Sequence, residues 1–165
     1  VIETAECWNI ALESQDTPSV LALTRQNLPQ LRTEKAGENL SAKGAYRLRA
    51  AKADRKVVLI ATGAEVEIAA ATADALEAQG IGADVVSMPS WAHFEAQTQS
   101  YKDDILPQGV LHASIEAGTT FGWERYAALR FGIDSFGASA PAEVLYDHFG
   151  LTAAKIAPQI AAALA

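Results

Sequence analysis

The 165-residue chain is half hydrophobic and one-fifth charged, with a formal net charge of −7, the composition of an ordinary globular domain. That acidity argues against nucleic acid and against anionic membrane, both of which need clustered Lys and Arg. The longest aliphatic runs, such as Val57-Val58-Leu59-Ile60-Ala61, are far too short to span a bilayer. Cys7 stands alone, which excludes an internal disulfide and fits a reducing compartment. The expected location is cytoplasmic. The chain starts at Val1, its sole methionine is Met88, and no signal-peptide pattern opens it. An engineered or proteolytic boundary at Val1 is expected.

Thr4 is placed to cap a first helix with Ala5, Trp8, Ala11 and Leu12 at helical spacing. Ser19-Val20-Leu21-Ala22-Leu23 reads as a short buried strand. One helix and one strand cannot bury each other. Residues 1–29 therefore read as the remnant of an upstream α/β domain, to be found disordered, swapped or docked. Residues 30–43, with Arg32, Glu34, Lys35, Glu38 and Lys43 broken by Gly37, Asn39 and Ser41, read as an exposed linker.

Residues 44–165 read as one domain. Tyr46-Arg47-Leu48-Arg49 alternates like an edge strand, and 56–61 is a continuous apolar strand. Thr62 and Glu65 match a capping box before a helix whose face is Val66, Ala69, Ala70, Ala73 and Leu76, stopped by Gly80. A strand from Ile81 to Met88 follows, and Ser90 opens a helix holding Trp91 and Phe94. Val110–Ile115 is a third core strand. A short helix is expected from Trp123 to Leu129, and a last strand and turn over 131–137. Pro141 starts one further helix and Thr152 caps the final one. Strands separated by helices predict an α/β fold: a mostly parallel, doubly wound sheet with helices on both faces.

Few residues here suggest chemistry. Thr62-Gly63 at a strand end resembles a phosphate cradle, but Glu65 and Glu67 in the next turn would repel a phosphate. No dinucleotide fingerprint is present. His93, His112 and His148 lack metal-ligand spacing; His112 is expected to pack or bond to backbone. Ser139 lies near a helix start, so capping is its expected use. Glu116 ends a strand and is expected to make a structural hydrogen bond. Trp91, Phe94, Phe121, Trp123, Tyr126 and Phe136 are expected mainly in core packing, with subunit contact as the alternative. The crevice near Gly63, Ser90 and Gly118 could hold a small regulatory ligand.

Thr24-Arg25-Gln26-Asn27-Leu28-Pro29 follows the first apolar run. A guanidinium at a strand end suits a phosphate dianion, although residue type alone favours an ion-paired or solvated arginine, and it is the hexapeptide context that reverses this. The hexapeptide closely resembles the Ser/Thr-Arg-Gln-Asn-Leu-Pro segment of transketolases. Glu3-Thr4-Ala5-Glu6-Cys7-Trp8, Met88-Pro89-Ser90-Trp91 with Phe94 and Gln97, Ile115-Glu116-Ala117-Gly118 with Phe121-Gly122-Trp123, and Phe136-Gly137-Ala138-Ser139-Ala140-Pro141-Ala142-Glu143 extend the resemblance in order. Pro158 and the short segment between Tyr126 and Phe131 depart from the pattern. The resemblance implies the end of the pyrimidine-binding domain followed by the C-terminal domain. It also implies transfer of a two-carbon ketol unit between ketose and aldose phosphates, with thiamine diphosphate and Mg2+ (or Ca2+), in a homodimer. On this reading Arg25 binds the substrate phosphate, and the cofactor and metal ligands lie in upstream domains, so the fragment alone is inactive. A 2-oxo acid dehydrogenase or deoxyxylulose phosphate synthase subunit is the related alternative.

Overall fold

In the computed structural model, residues 1–34 and 37–165 are described; Lys35 of the predicted linker lies outside them. Five strands form one sheet in the order β1-β3-β2-β4-β5: β1 (Tyr46–Arg49), β2 (Arg55–Ala61), β3 (Gly82–Ser87), β4 (Leu111–Ile115) and β5 (Leu129–Phe131). β1 runs antiparallel along β3 at the edge, and every other pairing is parallel. β2 lies between β3 and β4 with helices on both faces. This is why Val57 to Ala61 is an unbroken apolar run, all fully buried.

One face carries α2 (Glu65–Glu77) and α6 (Ala153–Leu164). Val57, Leu59 and Val85 meet Val66, Ala69, Ala73 and Leu76 of α2 and Ile156 and Ile160 of α6. The other face carries α3 (Trp91–Glu95) and α4 (Gln99–Ile105). There Val58, Ile60 and Val86 pack on Phe94, Ile105, Trp123 and Tyr126. The mostly parallel doubly wound α/β sheet predicted from the strand–helix alternation is the observed fold.

Several local readings are corrected. α1 (Ile2–Glu13) starts before Thr4, with Val1 at its N-cap and Val1 O accepting from Ala5 N–H at 3.0 Å, so Thr4 lies inside the first turn. Thr62 does not cap α2, whose N-cap is Ala64 without a side-chain bond. Its capping-box partner Glu65 is drawn instead to Tyr146. Of the helix expected over 123–129, Trp123–Arg125 alone is helical, as a 3-10 turn; Leu129 has passed into β5, where pairing with β4 satisfies its backbone. Ser139 is exposed coil, and Pro141 stands at the N-cap of α5 (Ala142–His148). Thr152 is at the N-cap of α6 through its carbonyl, which accepts from Lys155 and Ile156 N–H; its hydroxyl makes no cap bond. The predicted strand at Ser19–Leu23 is extended coil with Val20 and Leu23 exposed. A strand needs a neighbour to pair its N–H and C=O groups, and among the described residues none flanks this segment.

Nor is the 30–43 region wholly an exposed linker. Asn39 caps a 3-10 turn at Leu40–Lys43 by accepting from Ala42 N–H at 3.0 Å, and Ser41 is buried. Gly44 follows with φ +79°; a Cβ there would stand 2.1 Å from Phe94 N. Only glycine lets the chain turn in this left-handed conformation so close to α3.

Asp84 of β3 is 2% exposed. It accepts from Ala51 N–H at 2.8 Å and Arg55 Nη1 at 2.9 Å, and it pairs with Arg47 Nε at 2.9 Å. This knot ties the edge strand to the sheet centre. Asp84→Asn is expected to lower unfolding free energy by about 2 kcal/mol, below the usual cost of breaking a buried pair because both arginines reach water. Urea denaturation of the two proteins measures it.

Candidate functional site

The strand ends determine where the site lies. The C-terminal ends of β2, β3 and β4 open beside Gly63, Ser90 and Gly118, the crevice expected of such sheets. These residues line a cleft of about 1490 Å³. Its opposite wall is the chain's own N-terminal part, including Val20 to Thr24, Gln26 and Leu28. The segment carrying the arginine motif is therefore laid across the mouth of the crevice.

Polar bonds hold α1 against the sheet, because it buries no residue. The stripe read as its apolar face points the wrong way: Trp8 is 51% and Leu12 78% exposed. Glu3, Glu6, Cys7 and Ile10 are the half-buried side. Glu3 Oε2 accepts from the Tyr46 hydroxyl at 2.8 Å and the Ser87 hydroxyl at 2.5 Å. Glu6 pairs with Arg32 and accepts from Ser41 N–H at 3.1 Å and Ser41 Oγ at 2.8 Å. Its carbonyl receives Asn39 Nδ2 at 3.0 Å. The Arg32 guanidinium also sits 5.0 Å over the Tyr46 ring, a cation–π contact. Docking is the observed outcome for α1, whose carboxylates had offered no apolar signal of it, whereas residues 15–29 are irregular coil, exposed except Leu21.

Arg25 is exposed, and no carboxylate among the described residues pairs with it. Thr24 Oγ1 accepts from Gln26 N–H at 3.1 Å, a local turn just before Asn27. The guanidinium is thus neither locked into its own domain nor engaged by an acid.

Inside the crevice the charge is negative. Glu65 is buried at the start of α2, with its Oε1 accepting from the Tyr146 hydroxyl at 2.5 Å. Burial pushes its carboxyl above the usual range, and Glu116 adds to this; the Tyr146 bond opposes it. Burial, with Glu65 beside it, pushes Tyr146 up to about 12. Glu116 accepts from Trp123 Nε1, the structural bond expected of it. Trp91 meets Trp123 edge-on with centroids 5.0 Å apart, and Tyr126 joins the cluster. Phe121 and Phe136 do not: they are 81% and 100% exposed on loops that Asp134 ties together through Thr119 and Thr120.

The histidines stay apart. His112 is held between the carbonyls of Tyr126 and Pro107, each at 3.1 Å, and burial lowers its pKa. His93 takes part in the Ser90 cap at 2.8 Å, and His148 is exposed beside Phe149. Sequence reasoning missed the Glu65–Tyr146 pair. The capping-box pattern masked it, and 81 residues of separation hid it.

Burial disfavours ionisation of Glu6, but the bonds from Arg32 and Ser41 outweigh it and hold its carboxyl below the usual value of 4.5. A group depressed in the folded state stabilises above its unfolded pKa and loses that effect as pH falls through the folded one. Hydrogen exchange over residues 2–13 is therefore expected to accelerate as pH drops below 4.5, once corrected for intrinsic rates. Glu6→Gln is expected to exchange fast throughout, without that step.

The model of the transketolase-like TK C-terminal domain matches residues 44–152. A transketolase of Rhodobacter capsulatus is 48% identical over 97% of this chain, and one of Sinorhizobium medicae 52% over 93%. They cover 25% and 22% of those proteins, so the chain spans about a quarter of the length of the curated relatives it matches. A crystal structure of Pichia stipitis transketolase, in complex with sedoheptulose-7-phosphate, superposes with a TM-score of 0.90 at 40% identity. That match takes in 98% of this chain and 24% of the other. Sequence motifs, fold and relatives agree, and the chain belongs to the transketolase family.

Proposed function

We propose that this chain works as the C-terminal part of a transketolase and that Arg25 grips the phosphate of its sugar substrate. The reaction would move a two-carbon ketol unit between ketose and aldose phosphates. The observation that carries the reading is an unpaired guanidinium, projecting from a transketolase-like hexapeptide, in a chain close to proteins named transketolase. A planar fork of donors matches a phosphate dianion. One relative's structure holds a phosphorylated ketose, which supports this substrate class. Those names favour it over a 2-oxo acid dehydrogenase or deoxyxylulose phosphate synthase.

Thiamine diphosphate would supply the carbanion chemistry when bound. The residues present do not fit it with its divalent cation, Mg2+ or Ca2+. Among the described residues no three His, Cys, Asp or Glu side chains cluster to hold a metal. Glu65 and Glu116 would repel a diphosphate in the crevice. Both groups would be held by other polypeptide, and the chain alone would be inactive. Its own work would be to present Arg25, to pack against the pyrimidine-binding domain and to support a homodimer. Exposed Trp8, Leu12, Phe121 and Phe136 offer apolar contact for the last two roles. We place this work in the cytoplasm, where the free thiol of Cys7 would stay reduced. Among the described residues no helix is long and apolar enough to cross a membrane.

A rate assay decides the first point: the chain alone is expected to show no thiamine-dependent turnover. A chimera in which it replaces the matching quarter of the Rhodobacter capsulatus enzyme is expected to be active. In that chimera Arg25→Ala is expected to raise KM for a ketose phosphate about 10–100-fold, the worth of one charge-assisted hydrogen bond. KM for a neutral ketol donor should move less than about twofold. Equal losses on both donors would show that Arg25 acts only structurally.

A further inference from the structure

An uncharged imidazole carries one N–H, yet His112 faces two acceptors. Its Nδ1 lies 3.1 Å from the Tyr126 carbonyl and its Nε2 3.1 Å from the Pro107 carbonyl. With a single proton on the ring, one of these contacts sets lone pair against lone pair. The two carbonyls differ in how firmly they are held. Tyr126 and Ala127 N–H both donate to the Trp123 carbonyl at 2.9 Å, and Ala128 N–H donates to the His112 carbonyl at 3.1 Å. Arg130 Nη1 reaches the Ala127 carbonyl at 3.2 Å. Pro107 has no N–H to give. Among the described residues, neither Gln108 nor Gly109, next in the turn between α4 and β4, has a hydrogen-bond partner. The free turn can swing away from a repulsive contact and the fixed carbonyl cannot. The uncharged ring therefore keeps its proton on Nδ1, for Tyr126.

We propose that His112 is a proton-operated clasp: uncharged, it donates from Nδ1 to Tyr126 and leaves the Pro107 turn free, and on taking up a proton it donates from Nε2 as well, tying that turn to the segment before β5. The two equal distances are those of the closed form. Burial, with Arg55 of β2, opposes the charge; the two carbonyls favour it, and burial prevails, so the ring titrates below the ordinary histidine value of 6.5. Glu95, Lys102, Asp103, Arg125 and Tyr126 line the same recess of about 230 Å³. Its two acids and two cations offset each other, with Glu95 3.5 Å from both Lys102 and Arg125. A histidine depressed in the folded state leaves stability whole above 6.5 and costs stability as pH falls from there to its folded value. The clasp thus closes locally while the domain as a whole becomes less stable. It is independent of the Arg25 reading, because His112 stands near the start of β4, away from the crevice at the strand's other end.

Nitrogen NMR of the ring and hydrogen exchange of the chain, followed between about pH 8 and pH 5, test it. Above the titration Nδ1 is expected to carry the proton and Nε2 to be bare; below it both carry one. Exchange over residues 108–110, corrected for intrinsic rates, is expected to slow about tenfold across the same titration, the worth of one charge-assisted hydrogen bond at a partly exposed site. Exchange over 126–128 should change less than about twofold. In His112→Gln, which gains no proton in this range, the step should vanish. A ring doubly protonated at pH 8, or one whose lone proton sits on Nε2, overturns the inference. So does a wild-type chain without the step over 108–110, or a step that survives in His112→Gln.

Discussion

Two carboxylates on one turn of helix decide how the N-terminal quarter of this chain relates to the rest. α1 buries no side chain, so the hydrophobic term that docks most helices is small here. Glu3 bridges Tyr46 and Ser87, and Glu6 gathers Arg32, Ser41 and the turn that Asn39 opens. Hydrogen bonds to ionised groups contribute about 1.5–3 kcal/mol each, more than the exposed pairs scattered over the surface. Both acids are shared between partners, which makes the contact directional. A helix held by apolar packing could slide, whereas one held by two carboxylates at i and i+3 has a single register.

This constraint explains what could be read from the sequence and what could not. Central strands announce themselves because burial on both faces demands continuous apolar residues, as in Val57 to Ala61. The buried stripe of α2 is equally plain, since Val66, Ala69, Ala73 and Leu76 recur at helical spacing and meet the sheet. His112 follows from its strand position, and Glu116 from its strand end. Failure came where polar tertiary contacts overrode a local pattern. Thr62 and Glu65 have the spacing of a capping box, but Tyr146 offers Glu65 a buried partner that the helix end cannot match. Trp8 and Leu12 look like a core face, yet the opposite side carries the two docking acids. Ser19–Leu23 has strand composition and, among the described residues, no strand beside it. Periodicity reports burial; it does not report which polar group will meet which.

The candidate site was legible in part for the same reason. The hexapeptide around Arg25 stands out by resemblance, and its exposure is consistent with the role that resemblance implies. Nothing in the linear sequence shows that Thr24, Gln26 and Leu28 line the same cleft as Glu65 and Glu116. The crevice also shows why fold position alone is a poor guide to function. Strand ends beside Gly63, Ser90 and Gly118 make the place where open α/β sheets commonly hold ligands. Here Glu65 and Glu116 give it the wrong charge for phosphate, and the chain's own N-terminal segment covers it.

A sheet end is the most rigid platform such a fold offers, because each residue there is fixed by strands on either side. Glu65 at that end is costly to move: burial already disfavours its charged form, and the Tyr146 hydroxyl offsets this. Displacing the tyrosine would leave a buried acid without its donor, which raises the penalty for any motion of α5 away from α2. The stiffness between α2 and α5 at this point therefore comes from an unfavourable burial and the bond that offsets it. Apolar packing alone would give cohesion there, but no fixed direction.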